Sequence, residues 1–419
     1  MNVNTPMKTL VAALLLANSS LALAAPTEVT MWRHETGDAE MQASEAAVNR
    51  FNASQDRWEI LVEKLPEGSY TESITAAALA NTLPCVFDMD QPTVPNFAWS
   101  GYLRPISDYL SQDFLDGLNT GAKGQYKGQV YSVGQFDVAL TLFTRKSILE
   151  RFDIRYPTLE APWTKDELMA AIKKIKASGE FAYPFDVNTN WTGEWSSYGY
   201  GPLLQSFGAD LIDRDNYLEA EGTLNGDAAV QWGEWFQSLF EQEFADRKPA
   251  DDKRFQNGKI AIHYTGSWSA KDYTDAFGDD LAILPPPDLG HGPVVGGGSW
   301  QWGISSSCKH PEGAAEFVQF LMSDEEVAEM SEKTSLIPTS SGGAALTEQY
   351  SEGGEWRIFY EFSEQYTVMR PETPAYPVIS SAFDKAAQDI IDGVDPQDAL
   401  DNAVDTIELN IEDNGGYGF

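Results

Sequence analysis

An α/β fold in two domains is predicted by three features of this chain. Helical and strand-like hydrophobic periods alternate along it, which favours mixed or parallel sheets with helices on their faces. Removing a leader of 24 residues from the 419 still leaves more chain than one hydrophobic core usually covers. No repeat or low-complexity linker interrupts it, so crossings between domains must run through short, ordered segments.

The leader is read from three parts. Lys8 gives a positive start, Leu10 to Ala17 is apolar, and Ala22-Leu23-Ala24 has the small-x-small form that places a cut after Ala24. The apolar run is shorter than the roughly 20 residues of a membrane span, and no later stretch comes close. With no cysteine near the cut, a free periplasmic protein is expected rather than a lipid-anchored one.

The elements then follow in order. Glu28 to Trp32 reads as a strand, and the helix after it carries Ala43, Ala47, Val48 and Phe51 on one face. "WEILVEKL" is a second strand, and "CVFDMD" (Cys85 to Asp90) is a buried one ending on acids. Thr164 and Glu167 form a capping box before the stripe Leu168, Ala171, Ile172 and Ile175, with Trp163 and Leu168 as the hydrophobic staple. Another helix carries Trp232, Phe236, Leu239 and Phe240, and Pro311 opens one with Ala314, Phe317, Val318 and Leu321. Ile379, Phe383, Ala387, Ile390 and Val394 define a long helix, and Asp395-Pro396 starts the last.

Composition excludes several functions. The 64 acidic against 28 basic residues give a net charge of −36, which argues against nucleic acid and anionic membranes as partners. The acids are spread along the chain, as on a solvated, salt-adapted surface. His34, His263, His291 and His310 show no metal spacing, and no metal or cofactor is expected. Cys85 and Cys308 are the only cysteines, and in an oxidising compartment such a pair is more often bridged than free. Motifs of serine hydrolases, phosphate loops, zinc proteases and dinucleotide sites are missing.

What stands out is aromatic residues in polar or glycine-rich settings. "NWTGEWSSYGYG" (Asn190 to Gly201) holds Trp191, Trp195, Tyr198 and Tyr200, "YTGSW" ends on Trp268, and "GGGSWQW" carries Trp300 and Trp302 behind Gly296 to Gly298. Flat aromatic faces bordered by carboxylates, arginine forks and bare backbone suit a carbohydrate, whose apolar C–H faces are rimmed by hydroxyls.

Several longer stretches carry a resemblance. "RFQNGKIAIHYTGSW" (Arg254 to Trp268), "LPPP" (Leu284 to Pro287), "GGGSWQWGISSSCKHPEGAAEFVQFLMSDEE" (Gly296 to Glu326) and "IPTS" (Ile337 to Ser340) occur in an order similar to that of bacterial extracellular solute-binding proteins. These are maltose-binding-protein-like sugar carriers of ABC importers. "YSVGQFDVALTLFTRKSILERFDI", "RPETPAYPVISSAF" and "IIDGVDPQDALDNAV" resemble the same family, so the likeness covers nearly all of the chain after the leader.

The resemblance implies a two-lobed periplasmic binding protein (type II) fold with hinge-crossing strands and ligand in the cleft between lobes. The lobes would be 25–133 with 298–345, and 134–297 with 346–419. It implies a monomer that performs no chemistry and hands a sugar or small oligosaccharide to a membrane permease. Residues expected at the ligand are Arg33, His34 and Glu35 after the first strand, Asp90 and Gln91 after the third, and Asp137 past the first crossing. Trp268, Trp195 and Tyr198 would supply stacking surfaces, and Trp300 another, with Trp302 as packing. Gly297 and Gly298 would leave N–H groups open to a hydroxyl, and Arg370 would offer a planar fork to vicinal hydroxyls. In this layout the strands bearing Cys85 and Cys308 run antiparallel, which supports a bridge. A cationic solute such as a polyamine or betaine is the alternative ligand, and a secreted glycoside hydrolase the alternative from the enzyme class.

Overall fold

The computed structural model describes Met1 and residues 25–418, so the expected leader lies outside the described residues apart from its first. Two sheets organise the molecule. A seven-stranded sheet has the order Trp58–Leu65, Thr27–His34, Val86–Asp90, Trp300–Ser305, Gln129–Val133, Lys123–Tyr126, with Leu103–Arg104 also on Trp300–Ser305. Its first three strands are parallel, and Trp300–Ser305 runs antiparallel to the neighbour on either side. A four-stranded sheet has the order Leu281–Leu284, Leu140–Arg145, Ile262–Gly266, Phe185–Asp186.

The helices cover these sheets as their stripes require. Helix Asp38–Ser54 joins two parallel strands and buries Ala43, Ala47, Val48 and Phe51. Helix Lys165–Ala177 begins at a complete Thr164/Glu167 capping box, a device whose loss costs about 1 kcal/mol, and buries Leu168, Ala171, Ile172 and Ile175. Helix Asp227–Glu241 buries Trp232 and Phe236, helix Tyr376–Asp392 buries Phe383 and Ile390, and helix Pro396–Asp413 is capped by Asp395. Val394, expected on the stripe of the Tyr376 helix, lies past its end. Gly393 takes a φ of +100° there, and Val394 is exposed.

Two short ladders lie where the chain passes between the sheets. Phe136–Asp137 pairs with Ile337–Pro338, and Val295–Gly297 pairs with Thr367–Met369. The chain thus leaves the large sheet after Val133, returns to it at Trp300, and leaves again near Ile337. Met330, Leu336 and Ala344 already share cores with the four-stranded sheet. Cys85 and Cys308 form a disulfide with Cα atoms 4.4 Å apart, beside the antiparallel pairing of Val86 with Ile304.

Candidate functional site

The large sheet presents one edge toward the rest of the molecule. Parallel strands end there with His34 and Asp90, and the antiparallel strand begins there with Trp300, which pairs in register with Asp90. Facing this edge are Arg370, just past Thr367–Met369, and Glu194 and Tyr198 from the aromatic segment. Trp268 follows the end of strand Ile262–Gly266.

Arg370 ties these groups together. Its Nη1 and Nη2 donate to Asp90 Oδ2 and Oδ1 at 2.7 and 2.6 Å, Nη2 also reaches the Gly298 carbonyl at 3.1 Å, and Nη1 reaches Glu194 Oε1 at 2.5 Å. The guanidinium lies 4.9 Å from the centre of the Tyr198 ring. Burial opposes its charge, but Asp90 and Glu194 beside it hold the Arg370 pKa well above the usual arginine value. Glu194 also accepts from the Tyr376 hydroxyl and, at 2.8 Å, from Ser380. Its side chain keeps 37 % of its surface open, yet it lies deep among protein atoms, and that depth pushes its carboxyl up despite Arg370.

The aromatic faces form a second group. Trp268 lies 6.3 Å from Trp191 and 6.1 Å from Tyr198, each tilted by less than 40°. Gly266 makes room for it, since a Cβ there would fall 1.9 Å from the Trp268 ring. Trp268 and Trp191 are partly exposed, whereas Tyr198, expected to stack on ligand, is buried between Trp268 and the Arg370 guanidinium.

Several expectations need correction. Trp195, expected to stack on ligand, is buried; its Nε1 donates to the Val187 carbonyl, and its ring props Trp191 edge-on at 4.9 Å. The partly exposed ring is that of Trp191, four residues earlier in the irregular segment before the helical turn. Arg33 is buried as well, paired with Glu40 and set over the Trp302 ring, whose packing role is as expected. His34 is buried behind Trp300, stacked on it at 3.5 Å and bonded through Nδ1 to Asp88 at 2.7 Å. Burial opposes ionisation of Asp88, but His34 and Arg33 hold its carboxyl below the usual range. Of that trio only Glu35 is exposed.

Gly298 does not leave its N–H group open. Gly298 donates its N–H to Asp137, and Gly297 sits in the ladder with Thr367–Met369 under the Met369 side chain. What Gly298 supplies is a φ of +83° and a close approach to Gln91. Gln91 is fully buried; its Nε2 reaches Glu372 at 3.3 Å, and its Oε1 has no hydrogen-bond partner among the described residues. Asp137 is buried at the crossing, and burial raises its carboxyl to about 6 although Val138, Arg370 and Gly298 favour the charge. Arg370, expected to offer its fork to a ligand, has both prongs on Asp90.

In the sequence Glu194 stands out only as one of five loop acids beside aromatics, with Glu35, Asp88, Asp90 and Asp137, and is not among the residues expected at the ligand. Tyr376 and Ser380 carry no such signal. From Arg370 the seam continues outward. Asn96 donates to the Pro374 carbonyl at 2.7 Å, Trp99 meets Tyr417 edge-on at 4.9 Å, and Lys127 reaches the Gly418 carbonyl at 3.2 Å. A separate cavity of about 530 Å³, lined by Gln205, Asp210, Thr223 and His291 among others, includes none of the aromatic faces. Among the described residues no three His, Cys, Asp or Glu side chains converge as metal ligands.

Comparison with known proteins places this architecture. A family model described as bacterial extracellular solute-binding protein matches residues 46–356. The chain belongs to that family. Among its relatives is the maltodextrin-binding protein MdxE of Bacillus subtilis, 25 % identical over 84 % of each chain. Another is the sn-glycerol-3-phosphate-binding periplasmic protein UgpB of Yersinia pseudotuberculosis, 23 % identical over 94 % of each. The GacH receptor of Streptomyces glaucescens, solved unliganded and with acarbose, has the same fold, with a TM-score of 0.80 at 22 % identity over 93 % of this chain and all of that one. So does the maltose/maltodextrin-binding domain MalE of Bdellovibrio bacteriovorus, at 0.77 and 20 % over 92 % of this chain and all of that one. This solute-binding family member has the two-lobed α/β fold those structures share.

Proposed function

We propose that this protein captures a sugar or small oligosaccharide in the periplasm and delivers it to the membrane permease of an ABC importer, without chemistry of its own. The observation that carries the reading is the junction of the two sheets, where the partly exposed rings of Trp268 and Trp191 adjoin each other and Trp268 adjoins the buried Tyr198, whose ring lies against Arg370 of the Asp90–Arg370–Glu194 cluster. Aromatic planes accept the C–H faces of a pyranose, and carboxylate oxygens accept its hydroxyls. The binding of maltodextrin by one relative supports the same ligand class.

The lobes on this reading are 25–133 with 298–345 and 134–297 with 346–419. They move about the crossings near 134–139 and 298–299, and contacts from both to one ligand favour the closed form that the permease reads. Export follows a cut after Ala24, and the exported chain works as a monomer.

A melting screen over glucose, trehalose, sucrose, maltose, glucosylglycerol and longer oligosaccharides tests this. A true ligand at 100 times its Kd adds about 2.7 kcal/mol. A shift with spermidine or glycine betaine but with no carbohydrate overturns the sugar assignment. Release of aryl product from aryl glycosides overturns the assignment to a carrier.

A further inference from the structure

We propose that this cleft rejects phosphorylated and other anionic solutes, and that Asp90 and Glu194 are the residues that impose the rejection. The inference rests on the junction being the solute site. It separates the two kinds of relative, one binding maltodextrin and the other sn-glycerol 3-phosphate.

An anion needs donors with capacity to spare, best of all a free guanidinium fork. Arg370 has none to give. Both prongs are on Asp90, Nη1 is shared with Glu194, and Nη2 with the Gly298 carbonyl. Its remaining nitrogen, Nε, has no partner among the described residues and no accessible surface. Arg214 is likewise committed, to Asp210 and the Met369 carbonyl.

Exposure runs the same way. The Arg370 side chain is 5 % exposed, against 17 % for Asp90 and 37 % for Glu194. An entering solute meets carboxylate oxygens first, with the cation behind them. Two carboxylates against one guanidinium leave the cluster negative. A phosphate monoester would bring a further charge of about −1.5 to −2 at pH 7. A sugar hydroxyl brings none and can donate to those oxygens.

The test compares glucose with glucose 1-phosphate, trehalose with trehalose 6-phosphate, and glycerol with sn-glycerol 3-phosphate. Each pair is titrated at low salt against the wild type, Asp90→Asn, Glu194→Gln and the double variant. The phosphorylated compounds are expected to give no melting shift with the wild type. Freeing the fork in the double variant should raise affinity for sn-glycerol 3-phosphate at least tenfold, and added salt should reverse the gain. Glu194→Gln, which keeps the two-pronged Asp90 pair, is the milder change and should show part of the gain if the double variant does not fold. Wild-type binding of a phosphorylated compound as tight as its uncharged partner overturns the proposal, and so does the lack of any gain in folded variants. Failure of every uncharged sugar would sink the sugar reading by itself, while the variants' response to phosphate would still decide the filter.

Discussion

Arg370 and Asp90 meet as a two-pronged ion pair across the junction of the sheets, 280 residues apart in sequence and with both bonds shorter than 2.8 Å. One residue ends a strand of the large sheet, and the other follows the short ladder of Thr367–Met369. The pair closes a gap in the protein's own polar accounting, because neither group could be left at this depth without a partner.

Arg370→Met should therefore be costly. It leaves Asp90 and Glu194 facing each other with no cation between them. Breaking a buried pair costs about 3–5 kcal/mol, and the partial exposure of both carboxylates puts this variant near the lower end. Asp90→Asn should cost less, since Glu194 still neutralises Arg370. Urea unfolding of the two variants reads the difference; equal losses would mean that Glu194 contributes nothing to holding the arginine.

The disulfide makes a second prediction. Cys85 and Cys308 are 223 residues apart, so the bridge restricts a long loop of the unfolded chain. Replacing both by serine should lower stability by about 2–5 kcal/mol. Thiol labelling of the unreduced, denatured protein should find no free cysteine, and two labelled sites would contradict the bridge.

Asp137 gives a pH dependence whose sign is fixed. Burial raises its carboxyl in the folded protein to about 6, from the ordinary 3.8. Below the lower value the group is protonated in both states and costs nothing. As pH rises through the interval the unfolded chain ionises freely while the folded one resists, so stability falls, and the full cost applies above pH 6. Two pKa units correspond to roughly 3 kcal/mol. Asp137→Asn should remove this dependence, so the variant should gain on the wild type by about that amount between pH 4 and pH 7.5 in urea unfolding. Taking the difference between the two proteins cancels Asp88, whose lowered carboxyl has the opposite dependence. A difference that stays flat with pH would show that Asp137 ionises normally in the fold.

Much of the fold was legible because its elements announce themselves locally. The capping box at Thr164, the stripe through Phe51 and the restart at Asp395 each depend on residues within a turn or two of one another. Strand ends were legible for the same reason, and they placed Asp90, His34 and Trp300 on one edge. What each side chain would then do was not, because it depends on partners far away in sequence. Arg370 read as a free fork until two carboxylates, 280 and 176 residues distant, took its donors. Gly298 read as open backbone, yet its N–H serves an aspartate on another crossing. Trp195 and Trp191 carry the same chemistry four residues apart. Only the space made at Gly199, where a Cβ would fall 2.6 Å from the Trp195 ring, shows which of them turns inward.

That choice between tryptophans yields the last prediction. Trp268 is partly exposed beside Trp191 and Tyr198, so Trp268→Ala should remove a stacking face and leave most of the core in place. Its effect should appear mainly in affinity, at least tenfold, which corresponds to about 1.4 kcal/mol. Trp195→Ala removes a buried ring and the bond to the Val187 carbonyl. Its effect should appear mainly in stability, about 3–5 kcal/mol as for other buried tryptophans. Calorimetric titration with whichever sugar shifts the melting point, together with urea unfolding of the ligand-free variants, separates the two. The reverse pattern, with Trp195→Ala stable but unable to bind, would return the ligand to the Trp195 face.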